Sequence, residues 1–395
     1  MKKCIQEMDV KNKKVLLRCD FNVPFKDGKI LDDSKIVASL ETINYLINEG
    51  AKIIIMSHFG KVKTEEDKKN NSLAPIAIRL QELVNTKVVF STQTRSLGLE
   101  TMINNLNPGE IIVLENTRFE DVPDKLESNN DVQLSMYWAS LADVYCLDAF
   151  GSAHRCHAST YGVAKYLPNC IGFLVQKEMK VLDENVLNPQ KPLTIIMGGA
   201  KVEDKVDLIE SLLPLCDNLL ITGAIANSCI YMLGFDVGAS LRCQDSEVLL
   251  RIQKLLVDNK DKIQLPVDVI VGRNYDDNYV KHITLNEIQT DDCIYDIGMT
   301  TVNRYKEVIN NSKTIFVNGT AGKYENMKFA TGTRELLEAI ANSNATKIVG
   351  GGDGVSAVKY FKLENSFNHL STGGGATLEY IINKSLPAID NISDK

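Results

Sequence analysis

Short, unbroken runs of Ile, Val and Leu recur along this chain, each followed by a segment whose apolar residues repeat at helical spacing. "KKVLLRCDF" precedes "DDSKIVASLETINYLINEG", in which Ile36, Leu40, Ile43 and Ile47 form a helical stripe and Gly50 supplies a stop. "AKIIIMSH", "KVVFS", "EIIVLEN" and "VYCLDAF" continue the strand series in the first half. "PLTIIMGG", "NLLITG", "VDVIVG", "TIFVNG", "TKIVGGG" and "HLSTGGG" continue it in the second. A strand that is apolar at every position must be covered on both faces, which is the condition of a parallel sheet flanked by helices. The rhythm therefore predicts a doubly wound α/β architecture. At 395 residues the chain exceeds the size at which one core keeps growing, so two domains are expected. The stretch "FLVQKEMKVLDENVLNPQKP" reads as one connecting helix ended by Asn188-Pro189.

The strands end in glycine at "SHFGK", "MGGAK", "ITGA", "VNGT", "VGGGD" and "STGGG". Ligands of open α/β sheets bind beyond the carboxyl ends of the strands, so these ends outline a site. In "TKIVGGGDGVSAVKYF" a strand, three glycines and a helix present free N–H groups and a positive helix end, suited to phosphate. The same stretch contains G-x-G-x-x-A (Gly352, Gly354, Ala357), but the acid a dinucleotide site needs about twenty residues on is absent, position 374 being glycine. Asp353 reads either as an N-cap or as a Mg2+ ligand beside phosphates. No G-x-x-x-x-G-K-[ST] occurs, and "GTAGKYE" has its glycines and lysine too close together for one.

Cations gather at these strand ends, although the net charge is −7. Lys201 and Lys205 follow Gly198-Gly199; Arg18, Asp20 and Asn22 end the first strand; His58 and Lys61 follow the second. Arg118 lies in "ENTRF", and His154, Arg155 and His157 in "GSAHRCHAS". Lys35 sits in the first turn of a helix, a position unfavourable for a cation unless an anion lies there. His154 and His157 have metal-ligand spacing but no carboxylate nearby in sequence. The basic set in the first half suits a small phosphorylated carboxylate, and the glycine loops of the second half suit nucleotide phosphates. Together they predict phosphoryl transfer.

The acidic balance argues against a nucleic-acid binder. No apolar run approaches the ~18–20 residues of a membrane helix. The start, "MKKCIQEMDVKNKK", lacks an apolar core and a cleavage site, so no signal peptide is read. Nine cysteines, none closer than ten residues to the next, form no CxxC pair and are expected as reduced, mostly buried thiols of a cytoplasmic protein.

At "RCDFNVP", "SHFGK", "GSAHRCHAS", "GGAKVEDK", "GGGDG" and "STGGGAT" the chain resembles the phosphoglycerate kinases, in order and spacing over essentially its full length. The resemblance implies two Rossmann-like doubly wound domains joined by a hinge helix whose closure excludes water. It divides the chain into residues 1–171 for the triose phosphate, 172–188 as the hinge helix, 189–373 for the nucleotide, and 374–395 packing back on the first domain. It implies transfer from 1,3-bisphosphoglycerate to MgADP, giving 3-phosphoglycerate and ATP, by a monomer whose partners are small molecules. The family's triose positions fall on Asp20, Phe21, Asn22, Lys35, His58, Phe59, Gly60, Lys61, Arg118 and Arg155. Its nucleotide positions fall on Lys201, Lys205, Asn318, Glu325 (ribose), Gly351, Gly352, Asp353 (also Mg2+) and Gly354. Lys35, Lys201 and Gly374 take the catalytic positions.

Several residues depart from the family pattern. Lys35 stands where the family has arginine and cannot make a planar two-pronged contact. Lys61 also replaces a common arginine. Thr222-Gly223-Ala224 replaces three glycines, Thr320 a proline, Lys323 a small apolar residue, and Gly354 a hydroxyl residue. These substitutions motivate a second reading, a weakly active or inactive paralogue that binds nucleotide or phospho-ligand in a regulatory or structural role.

Overall fold

The computed structural model describes residues 1–275 and 278–395. The chain divides into two compact units, Met1–Lys180 with Ser385–Lys395, and Val181–Lys384. The return to the first unit thus comes at Ser385. The preceding helix, Gly375–Asn383, packs on the second-unit helix Glu203–Leu212.

The first unit is built on six parallel strands: β1 (Lys14–Cys19), β2 (Lys52–Met56), β3 (Val88–Phe90), β4 (Ile111–Val113), β5 (Val144–Asp148) and β6 (Asn169–Ile171). Their spatial order is β3-β4-β2-β1-β5-β6. Val15 of β1 lies between Ile53 and Val144, and Leu17 between Ile55 and Cys146. All of these are buried, as continuous apolar strands require. The chain winds outward from β1 on one side and returns to its other side at β5, so the topological switch point lies at β1.

The second unit repeats the plan with β7 (Leu193–Met197), β8 (Asn218–Ile221), β9 (Ile263–Gln264), β13 (Thr314–Asn318), β14 (Thr346–Gly350) and β15 (His369–Leu370). Their order is β9-β8-β7-β13-β14-β15, all parallel, with the switch point between β7 and β13. Two parallel sheets covered by helices bear out the α/β expectation. One strand of the series behaves differently. "VDVIVG" forms β10 (Asp268–Gly272), the centre of a separate antiparallel sheet between β11 (Lys281–Thr284) and β12 (Cys293–Ile297). Its apolar run is that of any fully buried strand, and the direction of its partners is not written in it.

The helical stripe from Ile36 to Ile47 is divided at Ser39 into Ser34–Ala38 and Leu40–Asn48. The connecting segment is helical over Phe173–Leu182, crosses the boundary between the units, and closes in a wider turn at Asp183–Leu187. Its orphan first amides are satisfied from other elements. Phe173 N–H donates to Thr42 Oγ1 at 2.9 Å, and Leu174 and Val175 donate to Asp148 Oδ1 at 3.0 and 3.3 Å. Asp148, the last residue of β5, is buried, and burial lifts its carboxyl to about 7 despite these bonds. Asp148→Ala leaves two buried amides without acceptors. It should lower stability by about 1–3 kcal/mol, read as a lower urea midpoint in the far-ultraviolet circular dichroism signal.

Candidate active site

In the first unit, the charged side chains singled out from sequence lie at or beyond strand carboxyl ends, except Lys35, which is in the helix Ser34–Ala38. Arg18 is in β1 and Asp20 follows it; His58 follows β2, Arg118 follows β4, and His154, Arg155 and His157 follow β5. The strands on which Asp20, His58 and Arg155 depend are β1 and its two neighbours, at the switch point. Asp20 is buried and faces three cationic or imidazole groups. Lys35 Nζ donates to Oδ2 at 2.9 Å, and His58 Nδ1 lies 4.0 Å from Oδ1. Burial alone would raise the Asp20 carboxyl, but Lys35, His58 and Arg18 together hold it at about 2. The anion that makes Lys35 tolerable in its helix's first turn is therefore Asp20.

Burial pushes His58 well below its ordinary range, with Arg18, Arg118 and Lys35 adding to the effect against Asp20. His157 falls to about 3 by burial and by Arg118, Arg18, Arg155 and His154. Arg118 is itself lowered, by burial and then by Arg155. These shifts report one region of strongly positive potential, in which His58 and His157 are held neutral. Among the described residues no group of three or more His, Cys, Asp and Glu side chains is arranged to hold an ion.

Phe21, Phe59 and Gly60 hold the loops in shape. Phe21 and Phe59 are buried, and the Phe59 ring meets Phe25 edge to face. Phe21 N–H donates to Ser57 Oγ, Phe59 N–H to Asn116 Oδ1, and Gly60 N–H to Asn22 Oδ1 at 2.9 Å. Gly60 has φ +60°, and a Cβ there would collide with the Asn71 amide. Lys61 and Arg155 are exposed.

Sequence reasoning did not assign a part to Asn116 or Glu127, nor to Ser159. Asn116 is fully buried, with each polar atom used twice: Oδ1 accepts from Phe59 and Arg118 N–H, and Nδ2 donates to the Phe59 and Asn71 carbonyls. It sits two residues before Arg118 in "ENTRF", and a polar residue soon after an apolar strand was the available signal.

The second unit holds a cleft of about 440 Å3, lined by the ends of β7, β8 and β13 and by the antiparallel sheet. Its walls divide by chemistry. Leu241, Pro266, Val269, Ile294 and Ile297 form an apolar part; Gly199, Gly223, Thr320, Glu325 and Asp353 belong to the glycine-rich ends. Three loops meet there through their backbones. Gly199 N–H donates to the Thr320 carbonyl at 3.0 Å, and Ala224 N–H to the Gly199 carbonyl at 3.0 Å. A Cβ on Gly223, which has φ +62°, would stand 2.6 Å from Gly199 N. One on Gly198 would overlap the Thr320 carbonyl oxygen.

Asn318, the buried last residue of β13, ties the phosphate-facing elements together. Its Nδ2 donates to the Gly350 carbonyl at 2.9 Å, and its Oδ1 accepts from Lys205 Nζ. Gly351 caps the helix Gly352–Tyr360 with φ +86°, so Asp353 is the second residue of that helix and not its N-cap. Lys201 and Asp353 are exposed, Gly354 is buried, and Gly374 caps the helix Gly375–Asn383 with φ +55° and open space before it. Lys323, left open from sequence, places its ammonium 5.1 and 5.3 Å from the ring centres of Tyr275 and Tyr295 at the cleft wall.

A family model described as phosphoglycerate kinase matches residues 5–384. The phosphoglycerate kinase of Macrococcus caseolyticus is 46% identical over 397 aligned residues, covering 100% of both chains. The chain belongs to the phosphoglycerate kinase family. The phosphoglycerate kinase of Enterococcus faecalis is likewise 46% identical at full coverage. Among solved structures, that of phosphoglycerate kinase from Coxiella burnetii aligns with a TM-score of 0.85 at 36% identity, covering 99% of this chain and 98% of that one. That from Pyrococcus horikoshii OT3 gives 0.84 at 31%, with the same coverage.

Family membership brings a nucleotide substrate. Lys205 is brought down to about 8, by burial first and by Lys201 among its neighbours, with Asp353 and Asp204 opposing. Its charge is thus lost as pH rises through 8, and a phosphate bound beside it would hold the charge. Nucleotide affinity should fall about tenfold between pH 7 and pH 9, measured by isothermal titration with ADP. A flat profile would show that Lys205 does not meet the phosphates.

Proposed function

We propose that this protein catalyses the reversible transfer of a phosphoryl group from 1,3-bisphosphoglycerate to MgADP, giving 3-phosphoglycerate and ATP, as a monomeric, cytoplasmic enzyme of glycolysis. The observation that carries the reading is the pair of anion sites of different build, each at the switch point of its own parallel sheet, in a chain that matches this family end to end. No described helix is long and apolar enough to cross a membrane.

In this reading the positive region of the first unit takes the triose phosphate. Arg118, Arg155 and Lys61 meet the phosphate, neutral His58 donates without adding charge, and Asp20 with Asn22 orients the hydroxyl. Lys35 serves the carboxylate and the oxygen that leaves with it. The apolar part of the second-unit cleft takes the base, Glu325 the ribose, and Lys205, Asn318 and the amides about Gly351 and Gly352 the phosphates. The bond broken joins the acyl oxygen to phosphorus, and the bond formed joins that phosphorus to a β-phosphate oxygen of ADP. A carboxylate leaves without needing a proton, so no general acid is required. Charge spreads over the three transferring oxygens, and Lys201 with the amides about Gly374 supplies the compensating field.

Asp353 suits a Mg2+ that arrives with the nucleotide. One exposed carboxylate beside a phosphate-binding lysine is the donor set of an ion that keeps most of its water, not of a caged one. Bound there, Mg2+ would neutralise phosphate charge. The paralogue reading is not favoured: Asp20, His58, Arg118, Arg155, Lys201, Lys205 and Asp353 are all retained, and the similarity extends over the whole chain.

Purified protein given 3-phosphoglycerate and MgATP, with glyceraldehyde-3-phosphate dehydrogenase consuming the product and NADH absorbance followed, should turn over. Lys201→Ala should cut kcat by roughly 10²–10³, and no turnover in the unaltered protein would reject the reading. In the same assay Lys35→Arg should raise kcat by up to roughly tenfold, the value of one charge-assisted hydrogen bond recovered. An unchanged or lower kcat would mean that the Lys35–Asp20 pair already supplies what an arginine would.

A further inference from the structure

We infer that a buried relay from Glu127 through Ser159 and Arg18 fixes His58 as the neutral tautomer with its proton on Nε2, which makes Glu127 a positioning residue for the triose site. Glu127 is fully buried, a placement a carboxylate occupies only with strong partners. Its Oε2 accepts the Ser159 backbone N–H at 2.9 Å, and its Oε1 accepts the Ser159 hydroxyl proton. With that proton committed, Ser159 Oγ can only accept from its other side, where Arg18 Nε donates at 2.8 Å. Arg18 Nη1 donates to the Cys19 carbonyl. The guanidinium is planar, so two anchored nitrogens fix the third, and Nη2 stands 3.3 Å from His58 Nδ1.

A guanidinium donates and never accepts. His58 Nδ1 must therefore carry the lone pair, and the ring proton lies on Nε2. The charged groups facing His58 agree with this. Arg18, Arg118 and Lys35 oppose a second proton, Asp20 alone favours it, and burial decides against it. The ring is thus a fixed donor of one hydrogen bond, already oriented before any anion arrives. Glu127 also accepts, through its backbone carbonyl, the N–H of Ala158, so the same residue sets the loop that carries Arg155 and His157. Only the identity of the anion rests on the phosphoglycerate reading.

The test is a long-range proton–nitrogen correlation spectrum of the histidine rings in the ligand-free, full-length protein, recorded at pH 7 and pH 5.5. The chain has five histidines, few enough to assign by substitution. His58 should show a lone-pair Nδ1 and a protonated Nε2 at both pH values. A protonated Nδ1 or an imidazolium there would overturn the relay. In Ser159→Ala and Glu127→Gln the two tautomers should mix, and KM for 3-phosphoglycerate should rise roughly tenfold while the dissociation constant for ADP stays unchanged. Variants with an unaltered His58 spectrum overturn the relay, and an altered spectrum with an unaltered KM overturns the positioning role. Failure of the substrate assignment is recognised separately, as absent turnover in the unaltered protein, because the spectrum is read without substrate.

Discussion

A strand buried on both faces in a parallel sheet has room for polarity only where it stops. That constraint governs both units of this protein. Val15, Leu16 and Leu17 or Ile195 and Ile196 meet nothing but apolar neighbours, while the next few residues turn to Asp20, His58, Lys201 or Asn318. All strands of a parallel sheet end on the same edge, so these polar residues are brought together without any being near another in sequence. The reversal of strand order then opens a gap beside β1 in one unit and between β7 and β13 in the other, and the chemistry collects there.

The two units meet the problem of an anion differently. The first gathers arginines and histidines, and burial, with their mutual repulsion added, lowers both His157 and Arg118. The repulsion is restrained from below by carboxylates that never reach the surface, Asp20 under Lys35 and Glu127 behind Arg18. The second unit uses few charges and much backbone. Among the described residues Lys205 is the one cation of this unit with a clear cost of burial, and glycine loops at helix N-termini supply amide dipoles. Rigid charge suits a small substrate with fixed anionic groups, whereas a backbone cradle suits a flexible polyphosphate.

How much of this was legible in the sequence follows from what each residue's role depends on. The strand-and-glycine rhythm needs only local composition, and it located both sheets and their polar edges. Asp20, His58 and Lys201 stand within a few residues of the ends of apolar runs, so their placement could be read as well. Glu127 could not: its partners Ser159 and Arg18 are 32 and 109 residues away, and a lone glutamate in a largely polar stretch looks like solvated surface. Phe21 and Phe59 carry the family's motif, but their side chains serve the core and their amides are spent on Ser57 and Asn116. Asp353 read as a possible N-cap because the positive φ of Gly351, which shifts the cap by two residues, is a property of the folded backbone. The antiparallel turn of β10 escaped for the same kind of reason, since strand direction is decided by partners.

The meeting of loops at Gly198 and Gly223 bears on how this cleft can change over evolutionary time. A crowded side chain in a core is usually accommodated when a neighbouring side chain becomes smaller. Here the neighbours are the Thr320 carbonyl and the Gly199 amide, which every amino acid possesses. No second substitution can make them smaller. These positions therefore have no compensatory partner, and variation in the cleft is channelled to places such as Ala224, Thr320 and Lys323, where a side chain can differ without moving the backbone it hangs from.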